Sequence, residues 1–168
     1  MIQTRLEQAV AEFVARSYIA AGVATGTVGQ KGTVLTFTGG LAGQAPLRIH
    51  AGEITEDANL PIVIVTAGDG EEDDIGNQTV DITLTVAYPS DEDDVTTDPL
   101  GRLNEEFQRV FSFAAQDDIG EQMEAINILT TNVSIIGIET RSSRREFEER
   151  RAVRELTLRA YCCDVAIY

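Results

Sequence analysis

Two runs of carboxylates carry most of the chemistry this sequence could perform. They are Asp69-Gly-Glu71-Glu72-Asp73-Asp74 and Asp91-Glu92-Asp93-Asp94, and they flank one strongly patterned hydrophobic stretch. Clustered oxygens of this kind hold hard cations when their spacing closes a cage. Asp69-x-Glu71-x-Asp73 lacks the glycine and the distant glutamate of an EF-hand loop, so the spacing supports loose cation association and no dedicated metal site. Paired carboxylates also serve glycoside hydrolysis. That chemistry needs a defined separation, and the chain has no tryptophan to form a sugar platform.

Other reactive groups are few. His50 is the single histidine, and no serine lies in a Gly-x-Ser-x-Gly elbow, so a nucleophile with a histidine base has no sequence support. Glycines at 22, 26, 29 and 32 surround Lys31, but the order glycine, lysine, then serine or threonine of a phosphate-binding loop is absent. Cys162 and Cys163 are adjacent and fall on opposite faces of any strand that holds them, which predicts two reduced thiols and a reducing cytoplasm for assembly. Two cysteines and one histidine do not complete a zinc site. The expectation is a protein that is not an enzyme and has no cofactor and no metal. Asn77-Gln-Thr79 and Asn132-Val-Ser134 match the glycosylation pattern by chance, because MIQTRLEQAV carries charge where a secretory signal would be apolar.

Charge is distributed unevenly. Residues 1–48 carry four basic and two acidic side chains, residues 49–100 none and fourteen, and residues 101–168 nine and twelve. Nearly all of the net −15 therefore belongs to the middle third. Ordinary binding to a phosphate backbone needs Lys and Arg, so that third is unsuited to it, while a surface that repels DNA is compatible with it. Lys31 is the only lysine against twelve arginines, a balance also compatible with a halophilic host. No apolar run reaches the ~18 residues of a membrane helix, and 168 residues suffice for one domain with its own core.

These groups must be positioned by a small set of elements. Gln78 to Tyr88 alternates Val80, Ile82, Leu84, Val86 and Tyr88 against Thr79, Asp81, Thr83, Thr85 and Ala87, the period of a strand with one face on a core. Residues 2–20 place Ile2, Leu6, Val10, Phe13 or Val14, and Ser17 or Tyr18 at helical spacing, with Thr4 and Glu7 spaced as a capping box and Gly22 as the stop. The Gly- and Thr-rich stretch at about 22–46 reads as a hairpin or flexible arm, with Thr33 to Phe37 as one strand and Gly39-Gly40 at a turn. Leu47 to Gly52 predicts a short strand. Leu60 to Thr66 predicts a better one, starting at Pro61 and pairing antiparallel with Gln78 to Tyr88 through an acidic connection at 68–77. Asp98-Pro99 starts a helix carrying Leu100, Leu103, Phe107, Val110 and Phe111, and Asp118 caps a second helix, Ile119 to about Leu129. Asn132 to Glu139 and Glu155 to Tyr168 return to strand, and the mixed-charge RSSRREFEERR between them reads as a solvated hairpin tip. The fold class expected is α+β: a mixed, mainly antiparallel sheet with an N-terminal helix and two central helices packed on one face, in a single domain over 1–168.

The order of an amphipathic helix, LPIVIV, an acidic turn, VDITLTVAYP, Asp-Pro and short helices, NVSIIGIET, and a charged loop into ELTLRAYC resembles the tail-terminator and tail-completion proteins of long-tailed bacteriophages and archaeal tailed viruses. The likeness spans roughly residues 47 to 164 and lies in the order of elements; the stretch 22–46 is longer than that pattern. The resemblance implies a hexameric ring in the virion, assembled in the host cytoplasm. This ring would end the tail tube and join it to the neck, with double-stranded DNA passing transiently through its lumen and with tube and neck proteins as partners, away from membranes. On that view Asp69, Glu71, Glu72, Asp73, Asp74, Asp91, Glu92, Asp93 and Asp94 are candidates for lumen or interface loops. Arg141, Arg144, Arg145, Arg150, Arg151 and Arg154 are candidates for a basic segment that meets a neighbouring subunit. A head-to-tail adaptor or stopper and a tube subunit share the element order, and an acidic DNA mimic shares the charge.

Overall fold

The computed structural model describes residues 2–22, 24–31, 34–41, 47–52, 62–72, 77–89, 133–148 and 151–164. Helix α1 (Ile2–Ala20) is followed by strands β1 (Ala24–Lys31), β2 (Val34–Leu41), β3 (Arg48–Ala51), β4 (Ile62–Glu72), β5 (Asn77–Pro89), β6 (Val133–Glu148) and β7 (Arg151–Asp164). β1 and β2 form a two-stranded antiparallel sheet, and the other strands form a five-stranded sheet in the order β3-β4-β5-β7-β6. β3 lies parallel to β4, and every other pair is antiparallel.

β5 holds the centre of the larger sheet because its alternation lets it pair on both edges while one face stays dry. Val80, Ile82, Leu84 and Val86 are buried, as are their row partners Leu156, Leu158 and Ala160 on β7 and Val63 and Val65 on β4. α1 closes this face with Leu6, Val10, Phe13, Val14 and Tyr18, the stripe that the helical spacing foretells. Removing a side chain of this size from such a core costs about 2–5 kcal/mol. The helix ends as its sequence predicts. Gly22 takes φ +72°, a left-handed conformation costly for a side chain with a Cβ, and its amide donates to Ile19 O at 3.1 Å.

The opposite face of the sheet carries Ile64, Thr66, Thr83, Thr85 and Thr157, all half-buried, with Asp81 and Tyr161 exposed. Thr66 Oγ1 donates to Thr83 O across the β4–β5 pair at 3.5 Å.

Several expectations are corrected. The described fold is mostly β with one helix, rather than α+β with three helices on one face; α1 supplies the helical cover on the core face of β4, β5 and β7. The helices read from Asp98 and Asp118 fall outside the described residues. Thr4 is no cap, because α1 already runs from Ile2. Gly39 and Gly40 lie inside β2, opposite Gly26 and Thr25, because the cross-strand ladder with β1 holds them extended despite glycine's weak strand preference. The acidic connection is shorter than expected: β4 continues through a bulge between Ala67 and Gly70 to Glu72. The segment from Arg141 to Glu148 is strand rather than loop, because each position from Ser142 to Glu148 finds a register partner on β7.

Candidate functional site

The residues with chemical potential are held at the two ends of one long sheet. β4 and β5 run antiparallel, with Glu72 opposite Gln78, so the chain turns back beyond Glu72 at one end. β7 runs antiparallel to β5, with Asn77 opposite Cys163 and Pro89 opposite Arg151. The closed end of the β6–β7 hairpin is therefore level with the far end of β5. This topology sends the first acidic run to one end of the sheet and the arginine-rich stretch to the other.

At the acidic end Asp69 and Glu71 are exposed on the bulged tail of β4. The bulge is anchored by Gly70, where a Cβ would come 3.0 Å from Val80 Cγ2 and 3.3 Å from Gln78 Oε1. Any side chain here would push Val80 or Gln78 aside by a few tenths of an ångström, so Gly70 suits the close approach of β4 to β5 at the bulge. Glu72 closes the strand opposite Gln78.

At the basic end Arg141 and Arg144 are exposed on β6. The Arg144 guanidinium reaches Glu155 across the ladder at 3.4 Å, an exposed pair worth less than about 1 kcal/mol. Arg151 stands opposite Glu148 in the register. Arg145 stands opposite Arg154, and the same row continues through Val86 to Val63. Asp73, Asp74, Asp91, Glu92, Asp93, Asp94 and Arg150 lie outside the described residues.

Between the ends, Arg159 Nε donates to Asp81 Oδ1 at 3.0 Å, joining β7 to β5 on the face away from α1. No local pattern links residues 78 positions apart, and only the β5–β7 register reveals the pair. The opposition of Arg145 and Arg154 was hidden for the same reason, because it depends on where the hairpin closes.

The remaining candidates do not assemble a reactive centre among the described residues. His50 is a half-exposed β3 residue opposite Ile64. Cys162 is buried and reduced, with its Sγ 3.7 Å from Gln78 O. No group of three or more His, Cys, Asp or Glu side chains is disposed to hold a metal ion among the described residues. A groove of about 440 Å³ runs between the end of α1 and β1, lined by Arg16, Ile19, Ala20, Gly26, Thr27 and Val28. Its charged side chain, Arg16, donates from Nε to the fully buried Glu12 at 2.9 Å. No helix among the described residues is long and apolar enough to cross a membrane.

No protein-family model matches the chain, and no curated protein matches it. Among solved structures, the chain is similar to one from the virion of a native gene transfer agent particle, at 12% sequence identity and a TM-score of 0.41. The alignment covers 71% of this chain and 79% of that chain.

Proposed function

We propose that this chain is a structural virion protein that assembles as a ring, ends the tail tube and joins it to the neck, with DNA passing through the lumen. The observation that carries the reading is the placement of charge on the sheet. Residues 49–100 contain fourteen acidic and no basic side chains, and the described part of the first run leaves β4 exposed at one end. Six copies around a channel would multiply a net charge of −15 per chain, and a negative wall keeps passing DNA from adhering. The described part of the element order, α1, β4, β5, β6 and β7, supports the same reading through the resemblance to tail terminators. In this role the chain catalyses nothing and needs no cofactor; its partners are its own copies, the tube protein and the neck.

Native mass spectrometry of the purified chain, with electron microscopy of the same sample, tests the proposal. A closed ring of about six copies with no growth into tubes is the expected result. Open-ended tubes would reassign the chain to the tube itself. A monomer or dimer at all concentrations would sink the ring reading and favour an acidic protein that occupies a basic groove of another partner.

A further inference from the structure

We infer that the groove between the end of α1 and β1 is a carboxylate-binding joint, in which Arg16 of one copy receives the exposed Asp69–Glu71 tail of β4 from a second copy. The inference rests on the ring reading and names two surfaces that meet in it. Arg16 donates through Nε to Glu12, whose side chain is fully buried, and this pair holds the guanidinium at the groove wall. Nε carries only one of the guanidinium's N–H donors. The terminal nitrogens, which form the planar fork that binds a carboxylate, have no hydrogen bond or ion pair among the described residues. The rest of the lining fits an extended segment. Gly26, Thr27 and Val28 are consecutive, and a strand presents only every second residue on one face, so the groove follows the edge of β1. β1 pairs with β2 in a two-stranded sheet, and the edge left over offers backbone groups to an incoming segment. Gly26, at φ +148°, leaves that edge without a side chain, and Ile19 gives the opposite wall an apolar surface.

Charge selects the occupant. Residues 1–48, with four basic and two acidic side chains, are the one third of the chain with a positive balance, and residues 49–100 are acidic throughout. Within that acidic third, Gly68, Asp69, Gly70 and Glu71 are exposed in succession, so they do not fill the groove of their own chain. β3 pairs with β4 only from Ile62 to Val65, and the tail runs on past it as strand, with two glycines that add no bulk beside the carboxylates. A carboxylate on the free fork of Arg16 makes a charge-assisted, bidentate contact. The carbonyls at the end of α1 disfavour an anion, but Ser17 O and Ile19 O already accept from the amides of Ala21 and Gly22 at 3.0 and 3.1 Å, which limits that opposition. Groove and tail are different surfaces, so their contact is heterologous and closes into a ring when the rotation between copies permits. The Asp69–Glu71 tail then belongs to the joint rather than to the channel wall.

Blocking the groove and neutralising the tail, in separate chains, tests this. Thr27→Trp fills the groove from an exposed strand position and leaves Arg16 and Glu12 in place, while Asp69→Asn/Glu71→Gln removes the charge of the tail. Each should weaken self-association about tenfold or more by sedimentation and native mass measurement, with the circular dichroism of the parent chain. Arg16→Lys covers the case in which Thr27→Trp impairs folding: it keeps a cation beside Glu12 but loses the fork, and it too should weaken association about tenfold. Mixed in equal amounts, the groove-blocked and tail-neutralised chains should form one-to-one pairs and stop, because the single competent groove and the single competent tail are used up in one joint. Assembly of either variant alone at parental strength, or failure of the folded mixture to pair, overturns the proposed joint while leaving the ring reading intact. A parent chain that never self-associates removes both.

Discussion

At the level of single residues, close packing outweighs surface charge. Gly70 has no spare room beside Val80, so Gly70→Ala is expected to cost about 1–3 kcal/mol and to disturb the bulge that presents Asp69 and Glu71; urea denaturation measures the loss. The Arg159–Asp81 pair is short, yet both side chains are substantially solvated, and Arg159→Ala should change stability by under about 1 kcal/mol. A loss above 2 kcal/mol in that variant would show that the outer face depends on the pair. Cys162 is shielded by the core, so a thiol reagent should modify it in the native protein only as fast as the fold opens. Rapid native modification at Cys162 would contradict its position. The roles of these residues were unevenly legible in sequence. Cys162 announced itself through alternation, whereas Gly70 looked like one more flexible glycine in an acidic connection, because its constraint comes from Val80 on the neighbouring strand.

Among the elements, α1 and β5 were the most readable, since each carries its own period and each buries the stripe that the period marks. Phe13 is expected to make this quantitative: Phe13→Ala should cost about 3–5 kcal/mol in a thermal or chemical melt, while Thr25→Ala on exposed β1 should cost less than about 1 kcal/mol. Comparable losses at the two sites would mean that α1 is not the cover of the sheet. Two elements misled local reading for a shared reason. The mixed charges of Arg141 to Glu148 resemble a solvated loop until β7 supplies Glu155 and Arg151 as cross-strand partners, and Gly39-Gly40 resembles a turn until β1 supplies Gly26. In both cases the decisive partner lies on another strand, outside any window of neighbouring residues. The candidate charged ends were legible as runs, but their separation was not: it follows from β5 pairing with β7, whose register no short stretch encodes.

On the scale of the whole molecule, neutralising the acidic runs should separate folding from function. Replacing Asp73, Asp74, Asp93 and Asp94 with Asn is expected to leave the melting transition within a few degrees of the parent while impairing assembly or DNA passage. Full infectivity of particles carrying that variant would reduce the runs to solubilising turns. The central position of β5 has a further consequence, and it concerns time. In synthesis α1 precedes the β4–β5 hairpin, but β7, which completes the other edge of β5, lies beyond residue 150. Through that interval β5 has a bare edge and an apolar face, the condition in which nascent strands join the wrong neighbour. α1 has already emerged, and its Leu6, Val10 and Phe13 belong to the same cluster as Ile82 and Leu84. α1, made before the sheet, therefore roofs the apolar face of β5, and β7 later pairs the edge that α1 does not cover.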